Sequence, residues 1–474
     1  MRSRSQKTMT KSTGFRMLFV LLAVSFLLPV AGCRKVKSSF PSVEVSATET
    51  TETTVVPSEG DSTTYTLTVA SPLSYEACVY LAKLYVLKTQ GNLPEGINGE
   101  NITFDYLDSI DLPFALNVYT TSETGCNADT LSRWQADGNM PDIFLTDSFD
   151  AVMEAGYASP LDRYISSEKL LAPNIVYPEM LRQFYIENDH YGIPYQAAAH
   201  VLFCDMEVLN KAEITELSFK QDQDSFKKLL AKLASVNSEE QQIIPLYQAQ
   251  TLIPYLPITF YGSQYLSASI AVVRDRKAFK DSLSYLKGLV SSGYTYESLD
   301  QEQVQQMFQG LSPLLSRKVG IWTGSTDEIS RYDVYMPNTL SIMQIPSMEE
   351  EKYSPAMLSV YPLCVSSTSQ HPSEASKFAT FMALDEDALL LTSRQIKREG
   401  FLPCISSSYV WKTIVSTQKY GVYLSQFQNL VSEAVFIPSI TSSTKYSDDL
   451  FYIATHLDTL IVEKKEEQEE TQTT

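Results

Sequence analysis

The reactive inventory of this 474-residue chain is 56 carboxylates, four histidines and six cysteines. Two carboxylates facing each other across a glycosidic bond could act as acid and base, so glycan hydrolysis lies within reach of the composition. No spacing organises such chemistry. The sequence has no H-E-x-x-H, G-x-S-x-G, P-loop or dinucleotide glycine fingerprint. Eighteen glycines fall well under the average usage of about 7%, which argues against phosphate-cradling loops. His190, His200, His371 and His456 are too few for dense zinc chemistry and are expected at surface or cap positions. Cys78, Cys126, Cys204, Cys364 and Cys404 show no C-x-x-C spacing. Cys204 and Cys364 sit in apolar runs and read as buried small hydrophobes, with a Cys364–Cys404 disulfide as the alternative. No metal and no cofactor is expected.

The net charge of −19 repels phosphate backbones and argues against nucleic acid as a partner. With 44% hydrophobic and 20% charged residues the body is globular rather than disordered. The one long apolar run, Met17 to Gly32, follows five basic residues and no acid. Sixteen residues at 1.5 Å each give about 24 Å, short of a hydrocarbon core of about 30 Å. The run ends in Val30-Ala31-Gly32-Cys33, which resembles a bacterial lipobox. Residues 1–32 therefore read as a lipoprotein signal peptide and Cys33 as an acylated N-terminus, against the alternatives of a secretory signal or a transmembrane anchor. Cleavage removes five positive charges and leaves −24. Residues 33–60 read as a lipid-anchored linker. Arg34, Lys35 and Lys37 sit where anionic headgroups would be, and thirteen of the 27 residues from Ser38 to Thr64 are Ser or Thr. Such a composition buries too little to offset ordering entropy. Residues 461–474 read as an acidic tail.

Between these ends strand and helix patterns alternate. Tyr65–Ala70, Phe114–Tyr119, Met140–Leu145, Ala199–Cys204, Val319–Thr323, Leu340–Ile345 and Tyr361–Val365 read as strands. Tyr75–Leu87, Asp129–Ala136, Asp224–Leu233, Lys277–Val290 and Pro372–Met382 carry helical spacing. The alternation predicts an α/β protein with largely parallel sheets and helices on both faces. Ligands of such sheets bind at the carboxyl ends of strands.

Several blocks, in order across residues 61–460, resemble the extracellular solute-binding lipoproteins of bacterial ABC importers. The likeness is to the carbohydrate-binding group with the maltose-binding-protein-like, type II two-lobed fold. The strongest block is Tyr191 to Ala212, beginning Tyr-Gly-Ile-Pro-Tyr. Met140 to Asp147, Pro160 to Ile165, Lys277 to Tyr294, Lys318 to Ser325, Ser369 to Phe381 and Gly400 to Pro403 follow the same family pattern. Departures are Asp205 where Asn is usual, Glu213 where Gly is usual, Phe219 where Trp is frequent, and Thr326-Asp327 where an aromatic often follows the Gly-Ser turn. Glu213 suggests a different turn after its helix.

The resemblance implies lobe one from 61–191 and 348–398 and lobe two from 197–344 and 402–460. The chain would cross between them at 192–196, 345–347 and 399–401. It implies capture of a sugar or oligosaccharide in the interlobe cleft and delivery to ABC-importer permease subunits, with the protein on the extracytoplasmic face of the cell membrane. Trp322, Tyr255 and Tyr261 would cover sugar C–H faces, and Asp147 and Gln196 would bind hydroxyls, with Tyr195 beside them at the hinge. Trp322 could equally be a packed core aromatic, and Tyr195 and Gln196 purely structural. Two other readings stay open: a secreted lipoprotein glycan hydrolase, and a solute-binding-fold sensor without a transport role.

Overall fold

The computed structural model describes residues 52–54, 65–166, 168–238, 241–262, 277–349 and 353–437. Cys33, the signal peptide, the acidic tail and His456 lie outside them. The strands are β1 (Glu52–Thr54), β2 (Thr66–Ser71), β3 (Ala115–Thr120), β4 (Ile143–Leu145), β5 (Tyr185–Ile186), β6 (Asp189–His190), β7 (Ile193–Asp205), β8 (Ile244–Tyr247), β9 (Val319–Ser325), β10 (Leu340–Met343), β11 (Met357–Val365), β12 (Leu402–Pro403) and β13 (Val435–Phe436). Apart from the β5–β6 hairpin they form one sheet in the order β1-β3-β2-β4-β11-β7-β9-β8, with β10 and β12 on β7 and β13 on β11.

Apart from β1, which runs antiparallel on β3, the two flanks are parallel, as the β–α alternation predicts: β2 with β3 and β4, and β8 with β9. The centre differs. β11, β9, β10 and β12 all run antiparallel to β7. The first half of β7 pairs with β11 and β12, the second half with β9 and β10. One thirteen-residue strand thus belongs to two sets of neighbours, and its burial is nearly continuous because both faces are covered.

Two main apolar cores follow from this arrangement. One gathers Leu67, Val69 and Leu116 with Phe378, Leu384 and Leu391 from the helices Pro372–Leu384 and Glu386–Gln395. The other gathers Leu202, Leu246 and Ile321 with Phe226 and Leu286 from the helices Gln223–Ala234 and Lys277–Ser291. Three of those helices begin within a residue of where the spacing predicts, the exception being Glu386–Gln395, which the spacing does not mark, and side-chain caps fix several helix starts. Ser74 accepts from the Ala77 N–H and Asp222 from the Ser225 N–H. Lys88 joins the helix Tyr75–Thr89 to Asp385, which caps the helix after it, at 2.8 Å.

Two expectations need correction, the linker at residues 52–54 and the turn at Glu213. Residues 52–54, placed in the linker by composition, form β1 on the open edge of β3, from Glu52↔Tyr119 to Thr54↔Asn117. An edge strand needs backbone partners rather than apolar side chains, and Thr suits it. Asp205 caps its helix, accepting from the Glu207 N–H at 3.0 Å, and at 1% exposure it is also held by Arg317 at 2.6 Å. Glu213 does not impose a different turn: it adopts φ +55, the left-handed conformation a glycine would take there. The five cysteines after residue 33 are free and buried, so the disulfide is not formed. Burial pushes the Cys78 thiol up to about 12 and the other four higher still.

A left-handed non-glycine residue costs about 1–2 kcal/mol, and glycine's extra unfolded-state entropy about 0.5–1. Glu213→Gly is expected to raise the unfolding free energy by about 0.5–1 kcal/mol in urea denaturation. A loss of stability would show that the Glu213 side chain holds the turn.

Candidate functional site

The register of the central strands brings two carboxyl ends together. β4 is tied to β11 through Leu145↔Leu363, β11 to β7 through Tyr361↔Gln196, and β9 to β7 through Ser325↔His200. The residues just past β4 and β9 therefore meet over the stretch Gln196–His200. This is where open α/β sheets bind ligands.

Asp147 follows β4. Ser148 Oγ donates to its Oδ1 at 2.6 Å. Burial raises its pKa above the ordinary carboxylate value, Ser148 opposes that, and Asp327 adds to the rise. Asp327 lies in the turn after β9, where the Tyr361 hydroxyl donates to Oδ2 at 2.9 Å. Its Oδ1 is buried with no hydrogen-bond partner among the described residues. Gln196 is 2% exposed. Its Nε2 donates to the Glu123 carbonyl at 2.7 Å, while its Oε1 has no partner. The Glu123 carboxyl, on the loop after β3, is raised by partial burial, lowered by Arg398 and raised again by Asp327. Among the described residues neither Asp147 nor Asp327 forms an ion pair, and no group of three His, Cys, Asp or Glu could hold a metal ion.

Close contacts hold the Asp327 turn. The Ala199 N–H donates to Thr326 Oγ1 at 2.9 Å, and the Ser325 N–H to Glu328 Oε2 at 3.0 Å. Gly400, at φ +86, passes so close that a Cβ there would lie 1.7 Å from the Thr326 carbonyl oxygen. Only glycine fits this crossing. Beside it the Arg398 guanidinium lies 4.7 Å over the Tyr195 ring. Tyr195, Gln196, Arg398 and Phe401 border a concavity of about 590 Å³. Asp147 borders another of about 460 Å³ with Asp150, Pro362 and Phe436.

His200 is neither a surface nor a cap residue. Its Nε2 is 2.9 Å from Ser359 Oγ, and its Nδ1 is 3.2 Å from the Tyr255 hydroxyl. The Ser359 hydroxyl donates to the Ile437 carbonyl at 3.1 Å, so it accepts from His200 Nε2–H, and Nδ1 accepts from Tyr255. Both nitrogens are satisfied in one neutral tautomer. Burial lowers His200 to about 4, against a smaller opposing pull from Asp327. His371 does stand at the cap position of its helix, and His190 pairs with Asp162 at 2.7 Å.

Of the candidates read from sequence, Asp147 and Gln196 fall in the cluster, and Tyr255 reaches its edge through His200. Tyr195 sits beside it, packed in the first core under Arg398. Trp322 is placed elsewhere. It lies directly across from Phe203, on the opposite face of β9 from Ser325, with Phe203 and Tyr332 at 5.9 and 5.3 Å. At 2% exposure it is a core aromatic with no free ring face for a sugar. The backbone at Tyr261 ends the short helix Ile258–Tyr261, and its side chain lies outside the described residues. Sequence reasoning did not select Glu123, Asp327, Tyr361, His200 or Arg398.

A sequence profile described as bacterial extracellular solute-binding protein matches residues 118–388, more than half the chain and the span holding Glu123, Asp147, Gln196, Asp327 and Tyr361. The chain belongs to this family. Its members bind solutes rather than transform them. A search of curated protein sequences gave no match. Among solved structures, an ABC substrate-binding protein of Listeria monocytogenes in complex with cycloalternan is 14% identical at a TM-score of 0.57, covering 84% of this chain and 92% of that one. A cyclic α-maltosyl-1,6-maltose binding protein of Arthrobacter globiformis is 12% identical at 0.55, covering 84% and 94%. A sugar transporter of Rhizobium etli in an open conformation is 14% identical at 0.54, covering 84% and 98%. At these identities the likeness establishes the fold: the two-lobed α/β architecture of periplasmic-type binding proteins.

The neutral His200 sets a pH test. Its folded value lies below the ordinary 6.5, so it contributes full stability above pH 6.5 and loses it as pH falls towards 4. The amount is on the order of 3 kcal/mol. The difference in unfolding free energy between wild type and His200→Gln, in which carboxylate contributions cancel, should shrink over that window. A difference independent of pH would contradict the neutral, buried assignment.

Proposed function

We propose that this protein captures a sugar or oligosaccharide in a cleft between two lobes and delivers it to the permease subunits of an ABC importer. In this reading it is held on the extracytoplasmic face of the cell membrane by lipid on Cys33. The observation that carries the proposal is the meeting of Asp147, past β4, with Asp327, past β9, over Gln196, leaving Asp327 Oδ1 and Gln196 Oε1 as unpartnered acceptors. The saccharides named for the Listeria and Arthrobacter relatives support the ligand class. The layout of lobe one as 61–191 with 348–398, and lobe two as 197–344 with 402–460, agrees with most of the two cores. Ile405 and Val410 pack with the first core and Met357 with the second, so the late segments interleave. Solute contacts to both lobes would shift the population towards a closed form.

A thermal-shift screen over neutral and charged saccharides should give at least one that raises the melting temperature, and X-ray scattering should show compaction with the same sugar. No shift with any saccharide would remove the sugar from the proposal. Chromatography of the sugar recovered after incubation should return it intact; cleavage products would favour the hydrolase reading. For the anchor, Cys33→Ser should abolish palmitate labelling and move the protein from the membrane to the soluble fraction. Persistent labelling would exclude acylation at Cys33.

A further inference from the structure

Two enclosed carboxylates elsewhere in the fold carry a cationic partner. Asp205 is held by Arg317 at 2.6 Å and 2.9 Å, and Asp385 by Lys88 at 2.8 Å through each oxygen. The cleft breaks that pattern. Asp327 acts electrostatically on both Glu123 and Asp147, and among the described residues no ion pair reaches Asp147 or Asp327. Arg398 acts on Glu123 at the rim only. Like charges sharing a partly desolvated site repel unless a positive charge enters with them.

An independent feature points the same way. Gln196, 98% buried, donates from Nε2 to the Glu123 carbonyl and holds Oε1 without a partner among the described residues. The Tyr361 hydroxyl, opposite Gln196 in the register, spends its proton on Asp327 Oδ2 and leaves Oδ1 open. Both of these donors are engaged within the protein, so Asp327 Oδ1 and Gln196 Oε1 stay open as acceptors, with the Tyr195 hydroxyl and Arg398 Nε also unpartnered beside Gln196 among the described residues. A hydroxyl could satisfy one of these acceptors but would leave the carboxylate charges uncompensated. A metal ion would need a ligand set that the described residues do not provide. A protonated amine supplies up to three donors and a full positive charge in one group.

Building on the solute-capture reading, we propose that the solute carries a protonated amine, as an amino sugar or its oligomer does, and that this amine seats between Asp327 Oδ1, Asp147 and Gln196 Oε1. The net charge of −19 draws such a solute towards the cleft over a longer range.

The test is titration calorimetry with four probes: glucosamine oligomers, their N-acetylated counterparts, cellobiose, and spermidine as an amine without a sugar. The glucosamine oligomers are expected to bind at least tenfold tighter than the N-acetylated ones, with affinity falling as salt rises. Asp327→Asn and Asp147→Asn, each near-isosteric and checked for an unchanged melting temperature, should each erase that preference. Neutral oligomers binding as well as cationic ones, or a preference that survives both substitutions, would overturn the amine while leaving sugar capture intact. Spermidine binding without any saccharide would keep the amine and remove the sugar. Failure of all four probes would overturn the amine, while the broader saccharide screen decides sugar capture separately.

Discussion

Backbone pairing along both edges of β7 is the constraint from which the rest of the site follows. Its first half is hydrogen-bonded to β11 and β12 and its second half to β9 and β10. Side chains alternate along a strand with a period of two, so Gln196, Ala198 and His200 share a face. A slip of one residue would turn that face over and separate Gln196 from Glu123 and His200 from Ser359. The run Ala197–Ala199 keeps the strand slim, and Ala199 is where the Thr326 turn approaches closely enough to bond the backbone.

The same constraint explains how the Asp327 turn is aimed. It is fastened to β7 through Thr326, capped within itself by Glu328, and pressed by the glycine crossing at 400. None of these contacts uses Asp327 Oδ1. A side chain whose position is fixed by its neighbours' backbone, while its own oxygen stays free, is preorganised for a ligand.

Much of the fold was legible because periodicity reports burial. Helices such as Lys277–Ser291 and Gln223–Ala234 and strands such as Thr66–Ser71 show it plainly. The first half of β7 was not, since Ile-Pro-Tyr-Gln-Ala-Ala-Ala covers both faces and alternates in nothing. The candidate site was half legible. Asp147 and Gln196 could be picked because they end or occupy strands. Trp322 stayed undecided between platform and core because an aromatic near a strand end looks the same whichever face it takes; only pairing with Phe203 decides it. Asp327 stood in plain view after the Gly-Ser turn, but in a chain this acidic one carboxylate looks like solvated surface. His200 and Arg398 draw their roles from partners far off in sequence, Tyr255, Ser359 and Tyr195, which no local pattern announces.

The buried thiols carry a consequence of another kind. For a member of an extracellular family, five unpaired cysteines would ordinarily be a hazard, because oxidants there turn exposed thiolates into disulfides. Packing removes the hazard while the fold lasts: each sulfur is sealed from collision and held in its unreactive protonated form. Once the chain opens, all five regain the ordinary acidity of about 8.5 and can cross-link at random. Unfolding outside the cell then becomes a one-way event, and the lifetime of the protein is set by how slowly it opens rather than by how favourably it refolds.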